Sequence, residues 1–260
     1  MQKTAIPRWF KLLLFLISLS LLQITVLAVQ KTETPPREQI GTCLGKPVYR
    51  DQIGISLKLS EELQLLFSYP VFSQFHQEHQ AKFKPTEKEI AAAIAYYSRD
   101  ESVIKDCQEI DKLTQSELEE NKNQLKRSDL KPAERKRLEQ KQQQLQRELK
   151  NGALKWMLLG MLEYWKFEKH LYLTQGGGRI RSMMFGEEAF DARFKWLEAQ
   201  EKRGKFQITD PQLRTTFFEF WTDKNNRGYN TTSQESIQEF LEPQWQKELN
   251  ADKPLTAKKP

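Results

Sequence analysis

The 260-residue sequence lacks the short motifs that mark several large classes of enzyme. It contains no GxSxG sequence of serine hydrolases, no phosphate-binding P-loop, no dinucleotide-binding glycine motif and no HExxH motif of zinc proteases. Without one of these motifs, the residues that would carry such chemistry cannot be assigned. We therefore rank an enzyme last among the functions considered below, and we assign the chain no cofactor.

The sequence also lacks a strong excess of positive charge beyond its first residues. The formal net charge is +6, but Lys3, Arg8 and Lys11 carry three of these charges, and residues 1–28 contain no acid. Subtracting 3 from 6 leaves about +3 on the remainder, which is too weak an imbalance for the one-sided basic surface of a nucleic-acid-binding protein. No nucleic-acid partner is expected.

Only one long apolar run is present. Residues 1–11 are basic, and residues 12–22 are almost entirely apolar, which is the pattern of a secretory signal peptide. We predict cleavage after Ala28 and a mature chain that begins at Val29 and is periplasmic or secreted from a bacterium. The alternative is an uncleaved anchor in the inner membrane facing the periplasm, because residues 12–29 approach the roughly 18 apolar residues that span a bilayer.

The sequence has only two cysteines, Cys43 and Cys107. An exported protein enters a compartment that permits disulfides, and a bridge that closes a loop of this length contributes on the order of 4 kcal/mol. The alternative is two separate thiols that are buried as small apolar side chains. The sequence leaves both alternatives open.

The order of segments predicts a mainly α fold. Residues 29–40 are polar and contain two adjacent prolines, which indicates a flexible tether. Residues 41–225 are predicted to form an irregular helical domain with one short β-element at residues 43–50, where we expect the only β-structure. Residues 226–260 are predicted to be a polar C-terminal segment with a disordered tail.

Local signals place several helix ends. Thr86 and Glu89 have the spacing of a capping box, in which each side chain bonds the other's backbone amide at a helix start. A helix capped by Ser60 is predicted to end at Pro70, since proline breaks helices. One helix is also predicted for residues 187–200.

Residues 108–150 consist largely of Glu, Lys, Gln and Arg with few leucines. Helix formers fill both halves, and residues 128–132 interrupt them. This pattern predicts a projecting antiparallel hairpin of coiled-coil type; the alternative is a disordered linker. The second arm is predicted to continue to about Leu173 as a single helix on the order of 60 Å long.

The inner part of that helix is rich in aromatic residues. A stripe of aromatics at helical spacing is usually core, but here apolar side chains point in nearly every direction around the axis. Such a helix is either central or offers an apolar strip to a partner. The candidate polypeptide-binding residues are Trp156, Tyr164, Trp165 and Phe167.

Two further groups of residues are candidate ligand sites. Glycine amides and arginines can together bind an anion; the alternative is a turn that reverses the chain between two helices. The residues of this candidate loop are Gly176, Gly177, Gly178, Arg179 and Arg181. His76 and His79 share a helical face and could hold zinc, but no third ligand lies nearby in sequence, so we assign no metal and treat them as exposed histidines on a polar turn.

Two segments resemble a known family. Residues 41–53 (GTCLGKPVYRDQI) resemble the opening strand of the SurA and trigger-factor-like periplasmic chaperones, and residues 83–90 (FKPTEKEI) resemble a helix start that follows in that family. Cys43 and Gly45 depart from its commoner Val and Asn. The prolyl isomerase domain of the family has no counterpart in this sequence.

The resemblance implies a chaperone-like helical domain that binds unfolded or envelope polypeptides, as a holdase or an assembly factor. The second hypothesis is a membrane-anchored envelope scaffold whose hairpin pairs with one dedicated partner. An enzyme related to peptidyl-prolyl isomerases ranks last.

Overall fold

The structure is a computed structural model that describes residues 37–183, 186–222 and 229–251. The predicted signal peptide, residues 29–36 of the predicted tether and the last nine residues lie outside these ranges. Within them, no helix combines the length and the apolar character that crossing a membrane requires.

The described chain is mainly helical, as predicted. Its helices are α1 (Leu59–Leu63), α2 (Tyr69–Glu78), α3 (Gln80–Phe83), α4 (Glu87–Tyr97), α5 (Glu101–Leu125), α6 (Pro132–Asn151), α7 (Ala153–Thr174), α8 (Phe190–Lys202), α9 (Pro211–Thr222), α10 (Gln234–Leu241) and α11 (Gln244–Ala251). The helix predicted for residues 187–200 is α8, which begins three residues later than predicted.

Strands also occur where none was predicted. They are β1 (Gln39–Cys43), β2 (Lys46–Tyr49), β3 (Ile180–Met183), β4 (Gly186–Glu188), β5 (Phe206–Ile208) and β6 (Tyr229–Thr231). They form two antiparallel sheets in the orders β2-β1-β5 and β4-β3-β6. The expectation of β-structure at residues 43–50 alone is therefore wrong, because strands of three or four residues are too short for their alternation to be visible in sequence.

Strand β1 connects the beginning of the described chain with its second half. Gly41 pairs with Val48 on one side and Ile208 on the other. A side chain at position 41 would collide with the carbonyl oxygen of Gln207 and with the ring of Phe67. Glycine is thus required here by the close approach of two strands.

The main hydrophobic core joins elements from both halves of the chain. It contains aromatic rings from the helices after β2, from the second half of α7, and from α8, α9 and α10. Phe67 illustrates the packing, since its ring lies 6.2 Å from the rings of both Phe206 and Phe217. These are the contacts that hold the first sheet onto the helices.

Pro70 does not end a helix. It is the second residue of α2, and the backbone is helical on both sides of it. The preceding residues Gln64–Ser68 form a π-helical turn, in which the amide of Tyr69 donates to the carbonyl of Gln64. This wider turn lets α1 continue into α2, so the predicted termination is wrong.

The predicted 60 Å helix is interrupted at Gly152. This residue has φ 74° and ψ 149°, a conformation that favours glycine, and it separates α6 from α7. The amide of Ala153, the first in α7, donates a hydrogen bond of 2.8 Å to the carboxylate of Asp111 in α5. A side chain from the neighbouring helix therefore takes the place of a local cap.

Helices α5 and α6 form the predicted antiparallel hairpin. Lys141 and Glu117 form an ion pair of 2.7 Å between the two arms. At the base, Cys107 of α5 packs with Ala153 of α7. Further out, the buried side chains Leu118, Asn121 and Leu145 lie outside the three clusters of the body.

The fold does not stop at residue 225 as predicted. Ile237 and Phe240 of α10 belong to the main core, and Trp245 of α11 is buried against α4 and α7. These helices are eight residues long and contribute only one or two large buried side chains each. Such sparse apolar residues give a segment that appears polar in sequence although it is packed.

Candidate polypeptide-binding surface

The structure separates the four aromatic residues predicted to bind polypeptide. Phe167 is buried in the main core, with its ring 6.0 Å from Phe72 and 5.4 Å from Phe83. Tyr164 is half-buried by its exposed area, and burial raises the pKa of its phenol well above the ordinary value. Phe167 is therefore covered by the body, whereas Tyr164 keeps part of its surface exposed. Polypeptide binding by these two residues stays a prediction.

Trp165 is also engaged within the body. Its indole Nε1 donates a hydrogen bond of 2.6 Å to the carbonyl of Phe240, and its ring meets Trp245 edge-on at 5.3 Å. The Nζ of Lys169 lies 4.6 Å from the ring centroid. Trp165 therefore attaches the C-terminal helices to α7.

Trp156 is the one of the four that reaches the surface, with 44% of its area exposed. It lies in the first turn after the break at Gly152, one helical turn before Gly160. A side chain at Gly160 would meet nothing within 4 Å, although glycine inside a helix costs about 1 kcal/mol relative to alanine. The helix backbone next to Trp156 is consequently open to contact.

The apolar cluster on the first half of α7, to which Trp156 does not belong, is only loosely covered. We define the α7 cluster as the apolar residues shared by α4, α11 and the first half of α7. Five of its members are buried, namely Ile90, Ala93, Leu158, Leu162 and Trp245. Ten are only partly buried, namely Ala92, Ile94, Tyr96, Tyr97, Leu154, Met157, Leu159, Met161, Trp165 and Leu249.

In the main core the balance is reversed, since buried residues there outnumber partly buried ones by 23 to 10. Apolar area therefore remains uncovered around the first half of α7. Sequence reasoning found this helix through its aromatic content but could not show which side chains the C-terminal helices cover.

The two cysteines are free and buried. They lie in different clusters, Cys43 in the main core and Cys107 at the base of the hairpin. Of the two alternatives left open by the sequence, two separate buried thiols therefore applies. Burial raises the pKa of Cys43 to about 11; burial and the nearby carboxylates of Asp111 and Asp106 raise that of Cys107, so neither thiol is a ready nucleophile.

The glycine loop is a turn from α7 into β3, between a helix and a strand and not between two helices. Its arginines have partners already. Arg179 bonds the carboxylate of Asp191 at 2.9 Å and the carbonyl of Trp221 at 3.1 Å, and Arg181 is buried against Glu188 at 3.0 Å. Since both guanidinium groups are engaged, the turn alternative fits and the anion-binding one does not.

Sequence reasoning missed a buried network of alternating charges. The carboxylate of Glu168, which is inaccessible to solvent, accepts hydrogen bonds from the Nε of Arg193 and the amide of Ala189, each at 2.9 Å. Arg193 also contacts Glu188 at 3.0 Å, and Glu188 pairs with Arg181. Burial raises the pKa of Glu168 while Arg193 lowers it; this pairing offsets the desolvation of both groups.

The network fixes α7 to β4 and α8, and it is closed to solvent. The only signal in the sequence is a glutamate within an apolar helix, which does not identify a partner 25 residues away.

The two histidines do not converge on a common point. His76 Nε2 lies 3.3 Å from the carboxylate of Glu163, while the Nδ1 of His79 is 2.9 Å from the carbonyl oxygen of Phe75. Across the described ranges, no group of three or more His, Cys, Asp or Glu side chains is arranged to hold a metal.

A second apolar surface lies in the loop before α1. We define the apolar loop as residues 54–59. Ile55 is fully exposed, and Leu57 and Leu59 are also exposed. Beside it is an open depression of about 290 Å³ between α1 and α9. Sequence reasoning did not single this loop out.

No protein-family model, curated protein or solved structure matches this chain. The resemblance of residues 41–97 to the SurA and trigger-factor-like chaperones therefore stays a prediction.

Proposed function

We propose that the chain is an exported, chaperone-like polypeptide-binding protein, a holdase or an assembly factor for unfolded or envelope polypeptides. The observation that carries the proposal is the α7 cluster, in which partly buried apolar residues outnumber buried ones two to one. Trp156, on the same helix but outside this cluster, adds an exposed aromatic ring. A partner that covers this cluster removes apolar area from water, at roughly 25 cal/mol for each Å².

The composition of the cluster favours varied partners. Met157 and Met161 are both partly buried, and methionine side chains adapt to differently shaped neighbours. Trp156 supplies a large ring of the kind that dominates the energy of protein interfaces. Together these residues suit the binding of many sequences better than the recognition of one.

The hairpin adds a polar flank to the cluster. Its base contacts Leu154 and Met157, which belong to the α7 cluster, and its outer arms are covered by charged side chains. A bound polypeptide would lie beside these arms, where the charges keep the complex soluble.

The test is suppression of aggregation of an unrelated denatured protein by the purified chain from Val29. We expect suppression at near-stoichiometric ratio, because the exposed apolar surface covers that of the client. Trp156→Ser should weaken it without loss of far-UV helical signal, since the side chain is exposed and leaves no cavity.

The matched control is Leu173→Ser. Leu173 lies on the same helix and is 62% exposed, but it is at the opposite end of α7, so this variant should retain full suppression. No suppression by the parent chain, even in several-fold excess, would contradict the holdase proposal. An equal loss of suppression in both variants would show that polypeptide binding is not specific to Trp156 and the α7 cluster.

Export is tested separately by the mass of the mature protein. Expression in a bacterial host should give a periplasmic product that begins at Val29. A product that retains residues 1–28 in the membrane fraction would favour the second candidate, the membrane-anchored envelope scaffold. That candidate is favoured by the apolar loop, and it predicts that one envelope protein co-purifies and not many.

A further inference from the structure

The apolar loop exposes its large side chains in an alternating pattern. Ile55, Leu57 and Leu59 are apolar and exposed, while Ser56 and Lys58 between them are polar. Scattered single hydrophobic residues on a surface need no explanation, whereas a contiguous group marks an interaction site. All of residues 54–59 are exposed and none lies in a strand, so the three apolar side chains form one exposed group along the loop.

The exposure of this loop is built into the fold. The carboxylate of Glu62, a buried residue, accepts hydrogen bonds from the amides of Gly54 at 3.2 Å and Leu57 at 3.3 Å. A side chain at Gly54 would meet this carboxylate at 2.7 Å. The backbone is therefore fixed from the inside by Glu62, and the apolar side chains are left to point outward.

The loop lies close to the point at which the described chain begins. The amide of Arg50 donates to the carbonyl of Glu38 at 2.9 Å, and the two side chains form an ion pair of 2.6 Å. Residue 38 is thus fixed beside residue 50, and the loop starts four residues later, within about 14 Å of extended chain. The apolar run of the N-terminal segment ends at residue 28, about 35 Å of fully extended chain before residue 38.

We propose that the apolar loop inserts Ile55, Leu57 and Leu59 into the surface of a phospholipid bilayer, in the form of the chain that retains residues 1–28. A retained N-terminal segment keeps the body within reach of the bilayer, where exposed apolar side chains gain free energy when they leave water. Lys58 can extend its ammonium group to the headgroups while its aliphatic stem follows the neighbouring leucines.

A bilayer fits this loop better than a polypeptide does. The loop commits the amides of Gly54 and Leu57 to Glu62, so it does not offer a peptide a row of free backbone groups. Insertion into a bilayer requires only that apolar side chains reach its acyl region. This proposal is independent of polypeptide binding by the α7 cluster, which contains none of these residues.

The experiment places an environment-sensitive fluorophore on Ile55→Cys in the full chain, reconstituted into vesicles of phosphatidylethanolamine and phosphatidylglycerol. Ile55 is fully exposed, so the substitution leaves the core intact. Labelling of the two buried native thiols is measured with the unsubstituted chain and subtracted. Matched controls carry the label at Leu113→Cys and Leu173→Cys, which are 70% and 62% exposed on other elements.

We expect the emission at position 55 to shift to shorter wavelength in vesicles and to be quenched by lipids that carry a nitroxide on the acyl chain. The control positions should show neither effect. Emission at position 55 that matches the controls would overturn the proposal. A shift that acyl-chain nitroxides do not quench would overturn it as well, because the loop would then contact protein and not lipid.

Discussion

Removing the outer part of the α5–α6 hairpin is expected to leave the body folded. The deletion takes out residues 112–146 and joins residue 111 to residue 147 by a short Gly-Ser turn. It keeps Asp111, which bonds the first amide of α7, and it keeps Cys107 in its cluster. The break at Gly152 already separates α6 from α7, so the body does not depend on a continuous helix.

The magnitude follows from what the outer arms bury. Only three side chains in the deleted segment are buried, namely Leu118, Asn121 and Leu145. Each leucine contributes about 1.5–3 kcal/mol, while the amide of Asn121 is buried without a hydrogen-bond partner and costs about 1–3 kcal/mol. The ion pair between Glu117 and Lys141 is exposed and adds at most about 1 kcal/mol.

These contributions stabilise the arms against each other and not the body. We therefore expect the free energy of unfolding of the body to change by less than about 2 kcal/mol. The assay is urea unfolding followed by far-UV circular dichroism, with a lower denaturant slope because less surface becomes exposed on unfolding. A loss greater than about 4 kcal/mol would be too large for surface arms and would show that they pack on the body.

Four further predictions concern buried groups. Asn121→Leu should raise the free energy of unfolding by about 1–2 kcal/mol in urea titration, because it removes an amide without a partner; a lower stability would mean that the amide is bonded. Glu168→Gln should lower the free energy of unfolding by about 3 kcal/mol, because Arg193 loses a buried partner. Changing both Glu168 and Arg193 to Leu should cost less than the sum of the two single changes to Leu. Costs that simply add would refute the coupling between the two residues. The pKa of Cys43 is raised from 9.0 to about 11, so its contribution to stability is complete below about pH 9 and lost as the pH rises to about 11. Both Cys43 and Cys107 should react with a thiol reagent only after unfolding, and fast reaction in the native state would contradict their burial.

The sequence was most informative where a structural signal is local. Thr86 and Glu89 form the predicted capping box: the Thr86 hydroxyl accepts from the Glu89 amide at 3.2 Å, and the Glu89 carboxylate accepts from the Thr86 amide at 2.7 Å. Both partners lie within three residues, so spacing alone identifies them. The two arms of the hairpin were predictable for the same reason, because helix formers fill each arm.

The sequence was least informative where distant residues meet. Strand β5 pairs with β1 across more than 160 residues, and three residues of alternation at positions 206–208 give no signal of that pairing. Trp245 is buried by α4 and α7 although its own helix is mostly polar. Propensity describes each segment alone, and tertiary contacts decide whether a sparse apolar residue is covered.

The aromatic residues of α7 show the same division. A period of 3.6 residues separates faces of a helix, but it does not say which face meets another element. Phe167 meets Phe83 and Trp165 meets the C-terminal helices, contacts that no local pattern defines. Only Trp156, at the end of the helix nearest the hairpin, is left without such cover.

The two apolar surfaces differ in how they are made, and this difference bears on what each can bind. The apolar loop holds three aliphatic side chains on a backbone fixed by Glu62. A group held on a fixed backbone gains most from a uniform apolar phase, because it adjusts little to a partner's shape. The α7 cluster instead consists mainly of partly buried side chains, two of them methionines, which can repack around different side chains. Variation of the partner should therefore change binding little at the α7 cluster, whereas the loop should respond to the presence of a bilayer and hardly to the sequence of a polypeptide.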